Sequence, residues 1–231
     1  MAKILFVMTG ADQWTLADGS THPTGFWAEE ATVPYEAFKA AGHEATVATP
    51  GGVVPPVDPA SLSPEVNGGA ENAAAVRGVV EGAAEFRSPV ALADVRLDRF
   101  DAVYVPGGHG PMEDLAVDAD SGRLLARAVE SGLPVGVVCH GPAALLAATK
   151  EDGTNAYAGY RITAFTNSEE RQAGNAEKAK WLLQDRLTAA GLKVEAREPW
   201  APHIEADRNV VTGQNPASSG PLAAELLKKL G

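Results

Sequence analysis

Apolar residues recur along this chain in short blocks separated by polar, glycine-marked turns, the rhythm of strands alternating with helices. Lys3 to Thr9 is an apolar, β-branched block that stops at Gly10, and it reads as a buried strand. Glu29 to Ala41 follows as a helix closed by Gly42, with Pro34 either near its first turn or breaking it. His43 to Thr49 is the next strand, ended by Pro50-Gly51-Gly52. Such a βαβ opening predicts a parallel sheet with right-handed crossovers. The sheet resumes at Asp101 to Val105 and at Pro134 to Val138, the latter a nearly all-apolar run of the mid-sheet kind. Asp120 to Ser131 is an amphipathic helix with Leu124, Leu125, Ala128 and Val129 on one side. Later blocks predict a helix over Ala143 to Ala148 and a strand over Ile162 to Phe165. A helix over Glu177 to Ala190 would turn Trp181, Leu182 and Leu187 inward. Val194 to Glu198 and Asn209 to Thr212 would add strands, and a helix over Leu222 to Leu230 closes the chain. The sum is an α/β fold, a mostly parallel sheet sandwiched by helices.

Two stretches interrupt the rhythm. Ala11 to Thr24 is polar and longer than most strand-to-helix connections, which marks it as an active-site loop. Val53 to Val95 holds Pro55, Pro56, Pro59, Pro64 and Pro89, the turn Asn67-Gly68-Gly69, and one Ala-rich helical piece over Glu71 to Glu81. It has few large apolar residues for a core of its own. The expectation is one α/β domain over residues 1–231, with an excursion at about 53–95 packed on it.

Composition narrows the classes. Of 231 residues 45% are hydrophobic, enough for a continuous core. The net charge of −11, with no Arg/Lys stripe, disfavours nucleic acid and anionic membranes as partners. The apolar run Ile4 to Met8 is too short for a signal peptide or a membrane span. A single cysteine forms no internal disulfide, so the cytoplasm is the expected location.

That cysteine carries the chemistry. In Leu133-Pro-Val-Gly-Val-Val-Cys139-His140-Gly141-Pro142 it sits between a buried strand and a predicted helix, a tight turn that exposes a nucleophile at the carboxyl edge of a sheet. A free cysteine has a pKa of about 8.5; a helix N-terminus and a hydrogen-bond donor would lower it to about 5.5. His140 is a candidate base if a carboxylate holds its other nitrogen, and Glu169 and Glu170 follow a predicted strand. Pro106-Gly107-Gly108-His109-Gly110 ends the neighbouring strand. Its glycines let backbone N–H groups approach a ligand, and His109 either lines the pocket or is a turn residue. Glu29 and Glu30 open the first long helix, and one of them would face the cysteine as a sheltered acid. No dinucleotide or phosphate-loop motif is present, and the five histidines show no metal-ligand spacing, so no cofactor or metal is expected.

At these residues the chain resembles the ThiJ/PfpI superfamily, which has a class I glutamine amidotransferase-like, flavodoxin-related fold. The likeness rests on AKILFVMTG, TGFWAEEATVPYEAF, AGHEATVATPGG, DAVYVPGGHGPMEDL, GLPVGVVCHGPAALL, ITAFTNSEE and NVVTGQNPASS, which cover most of the chain. It is most similar to the branch of glutathione-independent glyoxalases III and chaperone-like stress proteins. The resemblance implies a nucleophile at Cys139, its histidine at His140, the buried glutamate at Glu30 rather than Glu29, and the third triad member at Glu170, with Glu169 the rival. Gly107, Gly108 and His109 would form the substrate pocket and oxyanion site. The implied reaction converts methylglyoxal or a similar 2-oxoaldehyde to a 2-hydroxy acid in a homodimer. The alternatives are a holdase or stress sensor with little turnover, and a cysteine-dependent deglycase or amidase.

Overall fold

The apolar blocks become strands wherever both faces can be covered. The computed structural model describes residues 1–231. β1 (Lys3–Val7) leads through a hairpin of β2 (Gln13–Thr15) and β3 (Thr21–Pro23) to α1 (Ala28–Ala40) and β4 (Glu44–Thr49). The excursion supplies α2 (Ala70–Gly82), α3 (Ala84–Arg87) and β5 (Val90–Ala91). Next come β6 (Ala102–Val105), α4 (Gly110–Glu113), α5 (Ala119–Glu130) and β7 (Val135–Val138). β8 (Arg161–Ile162), α6 (Asn167–Gln172), α7 (Leu183–Ala189) and β9 (Lys193–Val194) precede β10 (Ile204–Asp207), β11 (Val210–Gly213) and α8 (Ser219–Leu230).

Seven strands form one sheet in the order β10-β11-β7-β6-β1-β4-β5, parallel throughout except for the β10–β11 edge. Ile4 pairs with Ala45 on one side and Ala102 on the other, and Val103 pairs with Val135. α1 and α8 pack together over one face, while α5 and the 3-10 turns Gly141–Ala147 cover the other. The predicted α/β sandwich is therefore the observed one. Its core takes in Phe86 and Leu92 of the excursion beside Phe6 and Tyr104 of the sheet. Ring contacts of 6.4 Å (Phe6–Phe86) and 5.1 Å (Tyr35–Phe86) tie the excursion to β1 and α1.

Several predicted elements differ. The polar stretch 11–24 carries the β2–β3 hairpin, whose strands are too short to show a period in sequence; Glu113 accepts bonds from both the N–H and hydroxyl of Thr15. The segment after the cysteine is 3-10 rather than α-helical. Pro142 lies in it, and Asn155 Nδ2 donates to the Leu145 carbonyl at 2.7 Å, taking an acceptor a longer helix would use. α7 starts only at Leu183, because Leu182 is extended and acts as its N-cap. Leu183 and Leu187 are the buried anchors, while Trp181 and Leu182 are half-buried. The strand predicted over Ile162 to Phe165 shrinks to β8, which pairs with β9 outside the main sheet.

Candidate active site

Cys139 follows β7 at the carboxyl end of the parallel strands, where the chain must turn from the sheet into the 3-10 segment. Its backbone is left-handed, with φ 58°, a conformation that strains any residue with a Cβ by about 1–3 kcal/mol. Two backbone bonds of 2.9 Å hold it there: its N–H donates to the Gly213 carbonyl, and its carbonyl accepts from the Phe165 N–H. The thiol is buried.

Glu30 approaches from one side. It lies in the first turn of α1 and is fully buried, whereas Glu29 is half-buried. Oε2 accepts a 2.7 Å bond from the Gly107 N–H, and the Cys139 thiol contacts the carboxyl group. Only glycine fits at 107: a Cβ would stand 2.6 Å from Glu30 Oε2 and 2.7 Å from the His140 nitrogen. Gly108, at φ 90°, has the same constraint against the Gly25 carbonyl and aims its N–H at the Cys139 sulfur. The backbone of Glu30 is also fixed. Pro34 lies one helical turn on and has no N–H for the Glu30 carbonyl; the buried Tyr104 hydroxyl donates to that oxygen instead, at 2.6 Å.

Burial pushes the Glu30 carboxyl up to about 8, outweighing the opposing pull of the Cys139 and Gly107 contacts. Burial, and then Glu30, push the Cys139 thiol well above its ordinary value. This corrects the acidic thiol expected from sequence. The segment after it is not an α-helix, and the nearest carboxyl group disfavours a second negative charge.

The imidazoles approach from the other side. His140 Nδ1 lies 3.3 Å from the Cys139 sulfur, and its Nε2 lies 2.6 Å from Glu170 Oε2. Glu170 Oε1 lies 2.9 Å from His109 Nε2, so one carboxylate bridges two histidines. Two Nε2–H donors to this carboxylate leave the His140 Nδ1 lone pair facing the thiol, a tautomer inferred from the bonding pattern. Burial raises the Glu170 carboxyl, but His140 and His109 outweigh it and hold the group well below the carboxylate range. His109 is lowered by burial and by His140, and its ring stacks on Trp14 at 4.1 Å. His109, His140 and Glu170 are scattered in sequence, yet their ligand atoms lie within 4.8 Å of one another. A metal ion there would have to replace both of the carboxylate–imidazole bonds.

Glu169 has a different task. It is fully buried and touches no histidine. Oε2 accepts from the Thr166 N–H and hydroxyl, closing the cap of α6, and Oε1 accepts from the Trp200 N–H, Gln214 Nε2 and Asn215 Nδ2.

These groups meet at a cavity of about 240 Å³ lined by Cys139, His140, His109, Gly108, Trp27, Phe165 and Trp200, with His22, Asp58 and Asn175 also on its wall. The excursion contributes Asp58, because residues 56–58 lie along Phe26 through two backbone bonds of 2.9 Å. A larger hollow of about 430 Å³ beside the β2–β3 hairpin shares His22 and Asn175 but does not reach Cys139. Sequence reasoning missed Trp27, Asp58, Phe165, Asn175 and Trp200; they come from five separate loops and share no spacing.

A sequence model described as the DJ-1/PfpI family matches residues 22–229. Glutamine amidotransferase-like class 1 domain-containing protein 1 of Bos taurus is 33% identical over 142 residues, which are 62% of this chain and 64% of that protein. The Protein/nucleic acid deglycase HchA of Escherichia coli O1:K1 is 32% identical over 152 residues, 61% of this chain and 53% of that one. The chain thus spans less than two thirds of either curated relative. Among solved structures, Rapid Encystment Protein 24 KDa of Francisella tularensis has a TM-score of 0.85 at 25% identity over all of both chains. Glyoxalase III of Candida albicans shares the fold, with a TM-score of 0.81 at 24% identity over 99% of this chain and 97% of that one. No helix is long and apolar enough to cross a membrane. The matched range takes in Glu30, Glu170, the cysteine turn and nearly all of the closing helix, and the chain belongs to the DJ-1/PfpI family.

Proposed function

We propose that the protein is a glutathione-independent glyoxalase that adds water to a 2-oxoaldehyde such as methylglyoxal and releases the 2-hydroxy acid. The observation that carries this assignment is Glu30, a buried carboxyl pushed up to about 8 and in contact with the only thiol. An acid still protonated at neutral pH, beside a nucleophile, can move a proton between adjacent carbons.

The thiol proton passes to His140 Nδ1, and the sulfur attacks the aldehyde carbon, C1. Glu170 remains ionised beside the imidazolium and stabilises it. The Gly108 N–H holds the developing oxyanion, which Glu30 protonates to give a hemithioacetal. The Glu30 carboxylate then removes the C1 proton while the His140 imidazolium protonates the C2 oxygen, giving an enediol. Glu30 returns the proton to C2, and His140 takes the C1 hydroxyl proton as the thioester forms. Water, deprotonated by the Glu30 carboxylate, attacks the thioester while the His140 imidazolium protonates the departing sulfur, which releases the acid and restores the thiol, neutral His140 and protonated Glu30. Methylglyoxal and one water give lactate, with no redox partner.

The 32% identity to a deglycase favours a second substrate class, in which the same thiol meets an amine adduct as a hemithioaminal. To the proposal belong the single α/β domain and the cytoplasmic location expected from the sequence, and the homodimer that the family resemblance implies. The test is lactate formation from methylglyoxal without glutathione. Wild type is expected to turn over and Cys139→Ser to remain at background; equal rates in the two would overturn the assignment.

A further inference from the structure

Three non-glycine residues have a left-handed backbone: Cys139, Arg208 and Trp200. Cys139 forms the nucleophile turn, and Arg208 lies in the tight turn between β10 and β11. Trp200, at φ 65°, belongs to neither. A bulky side chain in this region is strained and persists only where its surroundings enforce it.

The enforcement is visible. The Trp200 N–H donates to Glu169 Oε1 at 2.9 Å, and that carboxylate is fully buried, fixed by Gln214, Asn215 and Thr166, with no ion pair. The ring is pinned separately: Nε1–H donates to Gln172 Oε1 at 2.8 Å, and Phe165 meets it edge-on at 5.5 Å. Despite this, Trp200 is 45% exposed, and it lines the Cys139 cavity. A strained backbone, a hydrogen-bonded buried carboxyl group and two side-chain contacts therefore hold a large apolar ring where water can reach it. An exposed ring alone would say little; it is the enforced left-handed backbone beneath it that points to a role.

We propose that Trp200 is a fixed aromatic platform that receives the substituent on the substrate's ketone carbon, so that 2-oxoaldehydes bearing an aromatic or branched apolar group are preferred to methylglyoxal. This rests on the glyoxalase assignment above. The cavity of about 240 Å³ equals about eight waters at about 30 Å³ each, more room than the five non-hydrogen atoms of methylglyoxal require. Trp27 and Phe165 supply further apolar wall, while Asp58 on the same wall disfavours anionic substituents.

The experiment compares kcat/KM for phenylglyoxal and methylglyoxal in wild type and Trp200→Gly, with the thermal midpoint of each. Glycine relieves the left-handed strain, so the midpoint should hold or rise. Loss of one stacked ring should lower kcat/KM for phenylglyoxal about tenfold and for methylglyoxal less than threefold. A parallel fall for both aldehydes, or a gain for phenylglyoxal, overturns the platform. If wild type turns over neither aldehyde, the glyoxalase assignment fails and alkylation of Cys139 reads the platform instead. Its rate with 2-bromoacetophenone relative to bromoacetone should drop about tenfold in Trp200→Gly, and an unchanged ratio removes the proposal.

Discussion

Glu30 and Glu170 are the same residue type, both buried, on opposite sides of one thiol and its histidine, yet they are held in opposite states. Glu30 faces a backbone N–H and a neutral thiol, with no cation to offset the loss of water, and it is pushed up to about 8. Glu170 lies between two imidazoles at 2.6 and 2.9 Å and is held well down. Burial raises both; the partners decide the outcome. One carboxyl is thereby suited to carry a proton and the other to hold a charge, the division of labour that two-acid sites use.

Removing the proton carrier should break this division most severely. Glu30→Gln is expected to lower kcat for 2-oxoaldehyde turnover roughly 1,000-fold, within the usual range for a positioned acid–base. Wild-type activity should fall as pH rises through about 8, where Glu30 loses its proton, and the residual activity of the variant should lack that limb. Stability gives an independent reading. Because the folded Glu30 pKa lies above its ordinary value, the folded state binds more protons than the unfolded state between about 4.5 and 8, and stability falls as pH rises across that window. Glu30→Gln removes this loss, so its thermal midpoint should gain on wild type from pH 5 to pH 8.5. A constant difference between the two melting profiles would contradict the raised carboxyl.

Glu170→Gln should have the next largest effect. The amide oxygen can still accept from His140 Nε2–H and keep the tautomer, while the negative charge is lost, so kcat should drop roughly 100-fold. The pH dependence of stability should have the opposite sense. A depressed carboxyl stabilises the fold above about 4.5, and this contribution fades as pH falls toward the folded pKa. The variant should be clearly less stable than wild type at pH 7 and approach it at pH 3. Equal deficits at both pH values would mean that Glu170 acts through packing rather than charge.

The contrast between these glutamates was partly written in the sequence. Glu30 shares an i, i+4, i+8 stripe with Pro34 and Phe38, all buried on one face of α1. Glu29 has the same spacing to Val33 and Ala37, so the pattern alone leaves the two open and the family resemblance chose Glu30. Thr166-Asn-Ser-Glu169 fits a capping box, which assigns Glu169 to the helix end and leaves Glu170 for the histidines. The central strands and the cysteine turn were legible because β1, β6 and β7 are apolar almost throughout and glycines punctuate their ends. Other features depend on contacts distant in sequence. The two residues of β5 follow from pairing with β4, and Trp200 is placed by a carboxylate 31 residues away. The raised thiol escaped the local reading because it depends first on burial by segments distant in sequence and then on Glu30, whose approach is set by the β6 turn.

The smallest predicted effect concerns how Glu30 is held. A proline one turn after a helical residue leaves that residue's carbonyl without its usual donor; here Tyr104 on β6 supplies the bond, and Gly107 just beyond the same strand binds the carboxylate. Tyr104→Phe leaves the Glu30 carbonyl buried and unpaired, at about 1–3 kcal/mol of stability, and should lower kcat several-fold by letting the first turn of α1 relax. Loss of stability alone would not identify the cause. Pro34→Ala restores an N–H at the position that normally serves the Glu30 carbonyl, so it should rescue much of the kcat lost in Tyr104→Phe. If the double variant is no faster than Tyr104→Phe, the bond contributes to folding but not to the placement of Glu30. The comparison of the two glutamates would then rest on their side-chain partners alone.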